Sequence, residues 1–363
     1  MLKRFDSYLV GYYGMQNTGD DALMYSTYWG ARSALNDNKL SLSSLNVEAT
    51  QSMTETAFMQ PSLFRGHQRL KHYQNAMQSE KVIFGGGSVI HSERDIQLKR
   101  HMIKLAGRKN SRCVGVGIDK FESIAAEKQC AKFLNECGFI GVRDPHSLEV
   151  ASALAPNANI QLTFDLAPTM LTHEAGKLSN IERNGIMLNL CQLSVDAFGN
   201  LDQASEMRRL NAAAELVCKC WDTFQEPIHL VDFNGHSQFG DHNIHRSIMQ
   251  YVPSYIDITH IPYDPDPYRV LQRLAGYKAI VPMRLHAAIM AFMTDTPCLP
   301  LVYHKKCEGW CEQAGVSESL RFGAKTLDVD GIIDALKDGF GTGFAKPTLS
   351  IEAAVSAAQR NWR

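Results

Sequence analysis

The stretch Ala279 to Lys306, AIVPMRLHAAIMAFMTDTPCLPLVYHKK, decides the fold. Its first residues, Ala279 to Met283, make a short apolar run of the kind that becomes a buried strand. Arg284, Leu285 and His286 follow at once. Ala287 to Met293 then has the apolar, alanine-rich character of a helix packed on both sides. Cys298 to Tyr303 reads as the next strand. The unit is strand, turn, helix, strand, with a cation and an imidazole at the turn. In an open α/β sheet such a turn lies at the carboxyl edge, where ligands bind. The helix N-terminus adds unpaired N–H groups and the positive end of its dipole, both suited to an anion.

The same alternation extends outward on both sides. Before it, strands are expected at Gly185–Cys191, Pro227–Phe233 and Tyr255–Ile261, with helices at Asp202–Phe224, Asp241–Tyr251 and Tyr268–Ala275. After it come helices at Lys305–Ala314, Gly331–Phe340 and Ser350–Trp362. His236, His242 and His245, in and just after the polar loop Asn234–Asn243, invite a metal reading, but no HExxH pattern or carboxylate cluster accompanies them. No metal is assigned, and the loop is read as substrate-facing or solvated.

The first half opens with a strand at Ser7–Tyr12. The polar turn from Met15 leads into a helix reaching about Leu35, with Gly19 allowing a tight turn and Asp20 or Asp21 suiting the cap and first turn. Asn17 either serves this turn or faces a ligand. Residues 36 to 61 are polar, with a strand near Leu40–Val47 and a variable loop. Gln68–Gln78 is expected as a helix whose Arg69, Lys71 and His72 form a solvated face. The run from Lys81 to Ile90 carries Gly85, Gly86 and Gly87, which permit positive φ and leave no side chain between backbone and ligand. The GxGxxG spacing is absent, so this is no dinucleotide fingerprint, and close packing is the competing explanation. His91 beyond it reads as a polar loop residue.

A further β-rich run, Ser111–Ile118, precedes a helix at Glu122–Cys137. Phe139–Leu148 then repeats the design of the opening stretch. A buried strand ends at Arg143, and Asp144, Pro145 and Ser147 start a helix. Arg143 either pairs with Asp144 at the surface or serves a ligand. Ile160–Asp165 is the last strand of this half. The chain is therefore expected as an α/β protein with parallel sheets in two Rossmann-like domains that face a central cleft. The divisions fall at 1–165 and 166–345, with a helix at 346–363 crossing back onto the first domain.

Bulk composition excludes several classes. At 363 residues, 45% hydrophobic and 21% charged, the chain suits a globular protein of two domains. A formal net charge of -1 gives no electrostatic case for nucleic acid or an anionic membrane. No apolar run approaches the roughly 18 residues of a membrane span, and the N-terminal run, broken by Asp6, is too short for a signal peptide. The 9 cysteines are scattered without a paired CxxC, as for reduced thiols in a cytoplasmic protein. A cytoplasmic location is expected, with room for peripheral attachment at the inner membrane face.

Taken together, these motifs resemble the polysaccharide pyruvyl transferase family. The residues that carry the resemblance are Gly11–Asp20 with its N-T-G-D, the Gly85–Gly87 strand end, Gly141-Val-Arg-Asp144 with Ser147, Phe164-Asp165, and Arg284-x-His286 followed by Pro297, Tyr303 and Lys306. Asp295 departs from the pattern, standing where glycine is frequent, and Pro300 interrupts the following strand. The resemblance implies a GT-B-like fold. It also implies transfer of the pyruvyl group of phosphoenolpyruvate (PEP) to two hydroxyls of a saccharide, as a cyclic ketal, in glycan or exopolysaccharide biosynthesis. By position, Arg143, Arg284, Leu285 and His286 would contact PEP, with Asn17, Asp20, Gly86, Gly87, Asp165, Tyr303 and Lys306 as further substrate-site candidates.

The chemistry of these residue types agrees. PEP carries a carboxylate and a phosphate on a small frame, and arginine offers each a planar fork. Proton delivery to the PEP methylene suits an imidazole titrating near neutrality, which makes His286 the candidate acid and Arg284 its electrostatic partner. No cofactor is expected, PEP being a co-substrate, and the acceptor is a saccharide, whether free, lipid-linked or polymeric. A GT-B-type glycosyltransferase using a nucleotide sugar is the alternative, disfavoured because no acidic residue near Arg284 in the sequence is poised for a ribose. A non-catalytic carbohydrate-binding relative would have lost Arg143, Arg284 and His286, and all three are present.

Overall fold

A computed structural model describes residues 3–44, 56–58, 66–88, 90, 92–118, 120–173, 176, 178, 181–193 and 202–363. The chain divides into two compact units. The first comprises Met1–Met15, Asp20–Glu174 and Glu352–Arg363, and the second Gln16–Gly19 and Ala175–Ile351. His91, and most of the loop expected between Ser44 and Pro61, lie outside the described residues.

In the first unit, β1 (Phe5–Tyr13), α1 (Thr18–Ala34), β2 (Leu40–Ser44), β3 (Thr56–Phe58), α2 (His67–Gln78) and β4 (Ser79–Gly87) come first. They are followed by α3 (Glu93–Ala106), β5 (Arg112–Val116), α4 (Ile124–Glu136), β6 (Phe139–Val142), α5 (Pro145–Leu154) and β7 (Ile160–Leu162). Among the described residues the strands form one 7-stranded sheet, in the order β3-β2-β1-β4-β5-β6-β7, and every pair is parallel. The order reverses between β1 and β4, the switch point at which open α/β sheets take ligands. Strands buried on both faces need near-continuous apolar runs, and Val82-Ile-Phe84 and Phe139–Val142 are wholly buried. Caps set the helix starts: the side chains of Ser92, Ser123 and Asp144 accept from Asp95, Ala126 and Ser147 N–H groups.

The glycine triplet at the end of β4 serves packing as well as conformation. Gly86 and Gly87 have φ of 69° and 77°. A Cβ at Gly85 would meet Thr27 Oγ1 at 2.0 Å, and one at Gly86 would meet Leu23 at 2.7 Å, so α1 can lie directly on the strand end. His72 corrects the solvated face expected of α2. Its Nδ1 meets the Tyr8 hydroxyl at 2.8 Å, and burial, helped by nearby Lys99, pushes its pKa down to about 4. The chain's last segment, with α12 (Ile351–Gln359), belongs to this unit from Glu352 onward. Asn361, fully buried, accepts from Gly115 N–H at 2.7 Å and Thr163 Oγ1 at 3.0 Å, and donates to the Ala358 carbonyl at 2.9 Å.

In the second unit, β8 (Ile186–Asn189), α6 (Gln203–Phe224), β9 (Ile228–Val231), α7 (His242–Met249), β10 (Ile258–Ile261) and α8 (Pro267–Ala275) lead to β11 (Ala279–Pro282) and α9 (Leu285–Met293). Then follow β12 (Leu301–Val302), α10 (Lys305–Ala314), β13 (Phe322–Gly323) and α11 (Val329–Thr342). The 4-stranded sheet runs β10-β9-β8-β11, all parallel, and reverses between β8 and β11. All of α9 except His286 is buried, which accounts for its alanine-rich sequence.

The strand expected at Cys298–Tyr303 is broken at Pro300, which has no N–H to give a ladder. Cys298 bridges Ile280 in parallel, whereas Leu301 and Val302 pair instead with Phe322 and Gly323. Asp295, where glycine is frequent in the resembled family, adopts the left-handed conformation with φ 49°. No described helix is long and apolar enough to cross a membrane.

Candidate active site

The switch point of the second sheet gathers the opening stretch with residues far from it in sequence. Strands β8 and β11 are neighbours, and Asn189 pairs in register with Pro282. Asn189, fully buried at the end of β8, accepts the backbone N–H of Arg284 at 2.9 Å. Arg284 is the N-cap residue of α9, in extended conformation, so His286 falls in the helix's first turn. The guanidinium donates through Nε at 3.1 Å and Nη2 at 2.6 Å to Oδ1 of Asp241. Its Nη1 has no protein partner among the described residues, and the side chain is 23% exposed. Burial alone would lower the Arg284 pKa, but Asp241 beside it raises it overall, so the cation persists at every accessible pH.

Asp241 is the acid that sequence reading did not place beside Arg284. It is completely buried. Its Oδ2 accepts from Phe233 N–H at 2.9 Å, Asn234 N–H at 3.1 Å and Asn189 Nδ2 at 3.1 Å. A carboxylate so saturated is not open to a ribose. No sequence motif marks it, because its side-chain partners Arg284 and Asn189 lie 43 and 52 residues away.

The Asn17-Thr18-Gly19 turn belongs to this unit, not to the one that holds most of α1. Asn17 forms an antiparallel bridge with Asn234, Thr18 N–H donates to the Phe233 carbonyl at 2.9 Å, and Gly235 N–H donates to Gln16 at 2.8 Å. Asn17 itself, rather than Asp20 or Asp21, closes the helix start, its Oδ1 accepting Gly19 N–H at 3.0 Å. Gly19 lies against His286: a Cβ there would stand 2.2 Å from Nδ1. The half-buried imidazole therefore rests on bare backbone.

Other candidates in this unit take distinct positions. Leu285, the first residue of α9, is buried with 8% exposure. Burial raises the Tyr303 pKa well above the usual phenol value, with Cys191, Cys307 and Arg284 among its electrostatic neighbours, and Tyr303 stays a neutral hydroxyl. Lys306 is exposed in the first turn of α10, where its backbone N–H donates to His304 Nδ1 at 3.3 Å. Burial pushes the nearby Cys191 thiol up to about 11, against a nucleophilic role.

The histidine loop itself is exposed at His236–Phe239, but His245, beyond it on α7, is not solvated. It is fully buried, and the cluster it forms is with Asp232 and His260, not with His236 and His242. His245 Nε2 accepts Leu190 N–H at 3.1 Å, so Nδ1 carries the proton donated to Asp232 Oδ1 at 2.6 Å. Asp232 Oδ2 meets His260 Nε2 at 2.9 Å. A cation on Nδ1 would have to displace that proton while Nε2 still faces a donor, so the cluster reads as a hydrogen-bonded brace on the end of β8.

In the first unit, Arg143 is buried at the end of β6 with 8% exposure, not spread on the surface. Its backbone N–H donates to Val116, Nη2 reaches Ser88 Oγ at 3.2 Å, and Asp144 and Asp165 flank it at 3.5 and 3.7 Å. A Cβ at Gly117 would meet its Nε at 2.8 Å, and Gly117 N–H donates to Gly87. Gly87, Gly117, Arg143 and Asp165 thus come together at one carboxyl edge. Asp20 is half-buried in the first unit, in the first turn of α1.

Compared with curated proteins, the chain matches none. Among solved structures it is similar to the UDP-GlcNAc 2-epimerase of Methanocaldococcus jannaschii, with TM-score 0.66 and 10% identity over 98% of this chain and 97% of that one. It is also similar to the UDP-GlcNAc 2-epimerase of Neisseria meningitidis bound to UDP-GlcNAc, with TM-score 0.61, 10% identity and coverage of 98% and 97%. At such identities the likeness is one of fold, a GT-B-like α/β architecture with parallel sheets. The model of the family described as polysaccharide pyruvyl transferase matches residues 17–305. That match begins at the Asn17 turn and ends just past Tyr303, and on its extent the chain belongs to the polysaccharide pyruvyl transferase family.

Proposed function

We propose that the chain transfers the pyruvyl group of PEP to two hydroxyls of a saccharide, forming a cyclic ketal and releasing inorganic phosphate. The observation that carries this reading is the pairing, at the switch point of the second sheet, of a permanently charged arginine with an imidazole in the first turn of α9. The guanidinium edge bearing Nη1 faces away from Asp241 and suits a carboxylate or phosphate in bidentate geometry. The α9 N-terminus adds the N–H groups of its first turn.

In this reading His286 gives a proton to the methylene carbon, which becomes the methyl group, and positive charge develops at C2. The first sugar hydroxyl adds to C2 and loses its proton. Phosphate departs with the C2 oxygen and takes up a proton, and the second hydroxyl closes the ketal as its own proton leaves. Arg284 offsets charge on the departing phosphate. Arg143 is assigned to PEP on the family resemblance. The reaction as written calls for no redox cofactor. The acceptor is a saccharide, and lipid linkage together with peripheral membrane placement belongs to the same proposal.

The fold neighbour that holds UDP-GlcNAc raises the alternative of a nucleotide-sugar enzyme. Against it, the acid beside Arg284 is already saturated by protein donors. Incubating the protein with PEP and a panel of saccharides tests the reading. Phosphate release that depends on acceptor supports it. Calorimetric binding of a UDP-sugar with no heat from PEP would overturn it.

A further inference from the structure

We infer that Asp241 is the positioning residue of this site, setting the fork of Arg284 for the anion. The inference rests on the reading of Arg284 as an anion ligand and deepens it. Asp241 occupies the N-cap position of α7, where an aspartate ordinarily accepts N–H groups of its own helix. Here it makes no side-chain cap bond. Its carboxylate turns instead to the strand ends, where Oδ1 takes two donors from Arg284 and Oδ2 takes Phe233, Asn234 and Asn189.

Three consequences follow from that geometry. Engaging Nε and Nη2 on one oxygen fixes the guanidinium plane and leaves the Nη1 edge for a ligand. The backbone of Arg284 is held by Asn189, which is itself held by the same carboxylate, so main chain and side chain of Arg284 have a common anchor. Phe233 and Asn234, fixed by Oδ2, carry Thr18 and Asn17, and the next residue, Gly19, is the surface on which His286 rests. One buried carboxylate thus connects the positions of the cation and the imidazole. The carboxylate forgoes the cap bond of α7 and commits one whole oxygen to a guanidinium that is 23% exposed.

The test combines PEP titration with a readout independent of PEP, on the full chain. Asp241→Asn, Arg284→Lys and the double variant are titrated calorimetrically, with thermal melts as the check of folding. Each single change is expected to weaken PEP binding by roughly tenfold or more, and the double variant to bind no more weakly than the weaker single. Losses that simply multiply would overturn the inference.

The Nε–H resonance of Arg284, assigned by its absence in Arg284→Lys, should exchange slowly with solvent in the native protein. It should exchange at least about tenfold faster in Asp241→Asn as the charge-assisted bond is lost. An unchanged resonance would also overturn the inference. If native protein shows no PEP heat while the resonance still responds, positioning stands and the PEP reading falls. Should Asp241→Asn fail to fold, Asp241→Glu keeps the charge and displaces it by one methylene. It is expected to fold, to shift the resonance and to weaken PEP, and unaltered PEP affinity in it would count against the inference.

Discussion

A Cβ on Gly19 would stand 2.2 Å from Nδ1 of His286, so the imidazole occupies space that any other residue at position 19 would claim. Gly19→Ala is expected to push the ring out of place while leaving Arg284 and its partners untouched. Turnover should fall about 100-fold, the scale of a displaced reacting group, with PEP affinity retained. Steady-state kinetics beside calorimetry checks this, and an equal loss of affinity and turnover would count against it.

Arg284 and His286 should separate in the same measurements. His286→Ala is expected to bind PEP and to lose roughly 10²–10⁴ in turnover, the usual contribution of a positioned acid. Arg284→Ala should abolish PEP binding. It should also lower stability by about 3–5 kcal/mol, because Asp241 is left as a buried charge without its cation. Urea denaturation reads that second effect, and an undiminished midpoint would show that Asp241 does not depend on Arg284.

The first unit carries its own pH dependence. His72, half-buried against Tyr8, has its pKa pushed down to about 4 by desolvation and by Lys99. Below the unfolded value of about 6.5 the unfolded chain binds a proton that the folded chain refuses, so stability is full above that pH and declines as pH falls toward 4. The loss across this window is on the order of 3 kcal/mol. Comparing denaturation midpoints of native protein and His72→Gln from pH 7 to 4 should show a shallower slope in the variant. Parallel slopes would remove His72 from the account.

Asn361 gives a fourth expectation. Its Oδ1 is the acceptor for the buried N–H of Gly115 and for Thr163 Oγ1. Asn361→Ala leaves that N–H without an acceptor and should cost about 1–3 kcal/mol. Thermal or urea unfolding reads it, and a change under a few tenths of a kcal/mol would mean water takes the vacated place.

Much of the architecture could be read from periodicity. Ala279–Pro282 and Phe139–Val142 announce buried parallel strands, and Asp144-Pro145 announces a helix start, because local sterics and burial act within a few residues. The split of Cys298–Tyr303 was signalled by Pro300, but the partner strand at Phe322–Gly323 was not, since two residues carry no period. Arg284 and His286 were legible as neighbours at a helix start after a buried strand. Asp241 and Asn189 were not, because their link to Arg284 spans 43 and 95 residues and depends on which strands become neighbours. The partner of His245 was hidden for a similar reason: its place on an expected helix says nothing of the buried carboxylate of Asp232 that it meets. His72 was misread as solvated because the phenol of Tyr8, on strand β1, meets it.

The return of residues 352–363 to the first unit bears on how the molecule is made. A ribosome delivers the chain from its amino end, so β5 and β7 emerge long before Asn361 does. The whole of the second unit's main segment, Ala175–Ile351, is synthesised in between. During that interval Gly115 N–H lacks the acceptor that Asn361 later supplies, while Thr163 already has the Val142 carbonyl. Folding of nascent chains domain by domain therefore meets an interruption here: the unit begun first is finished last.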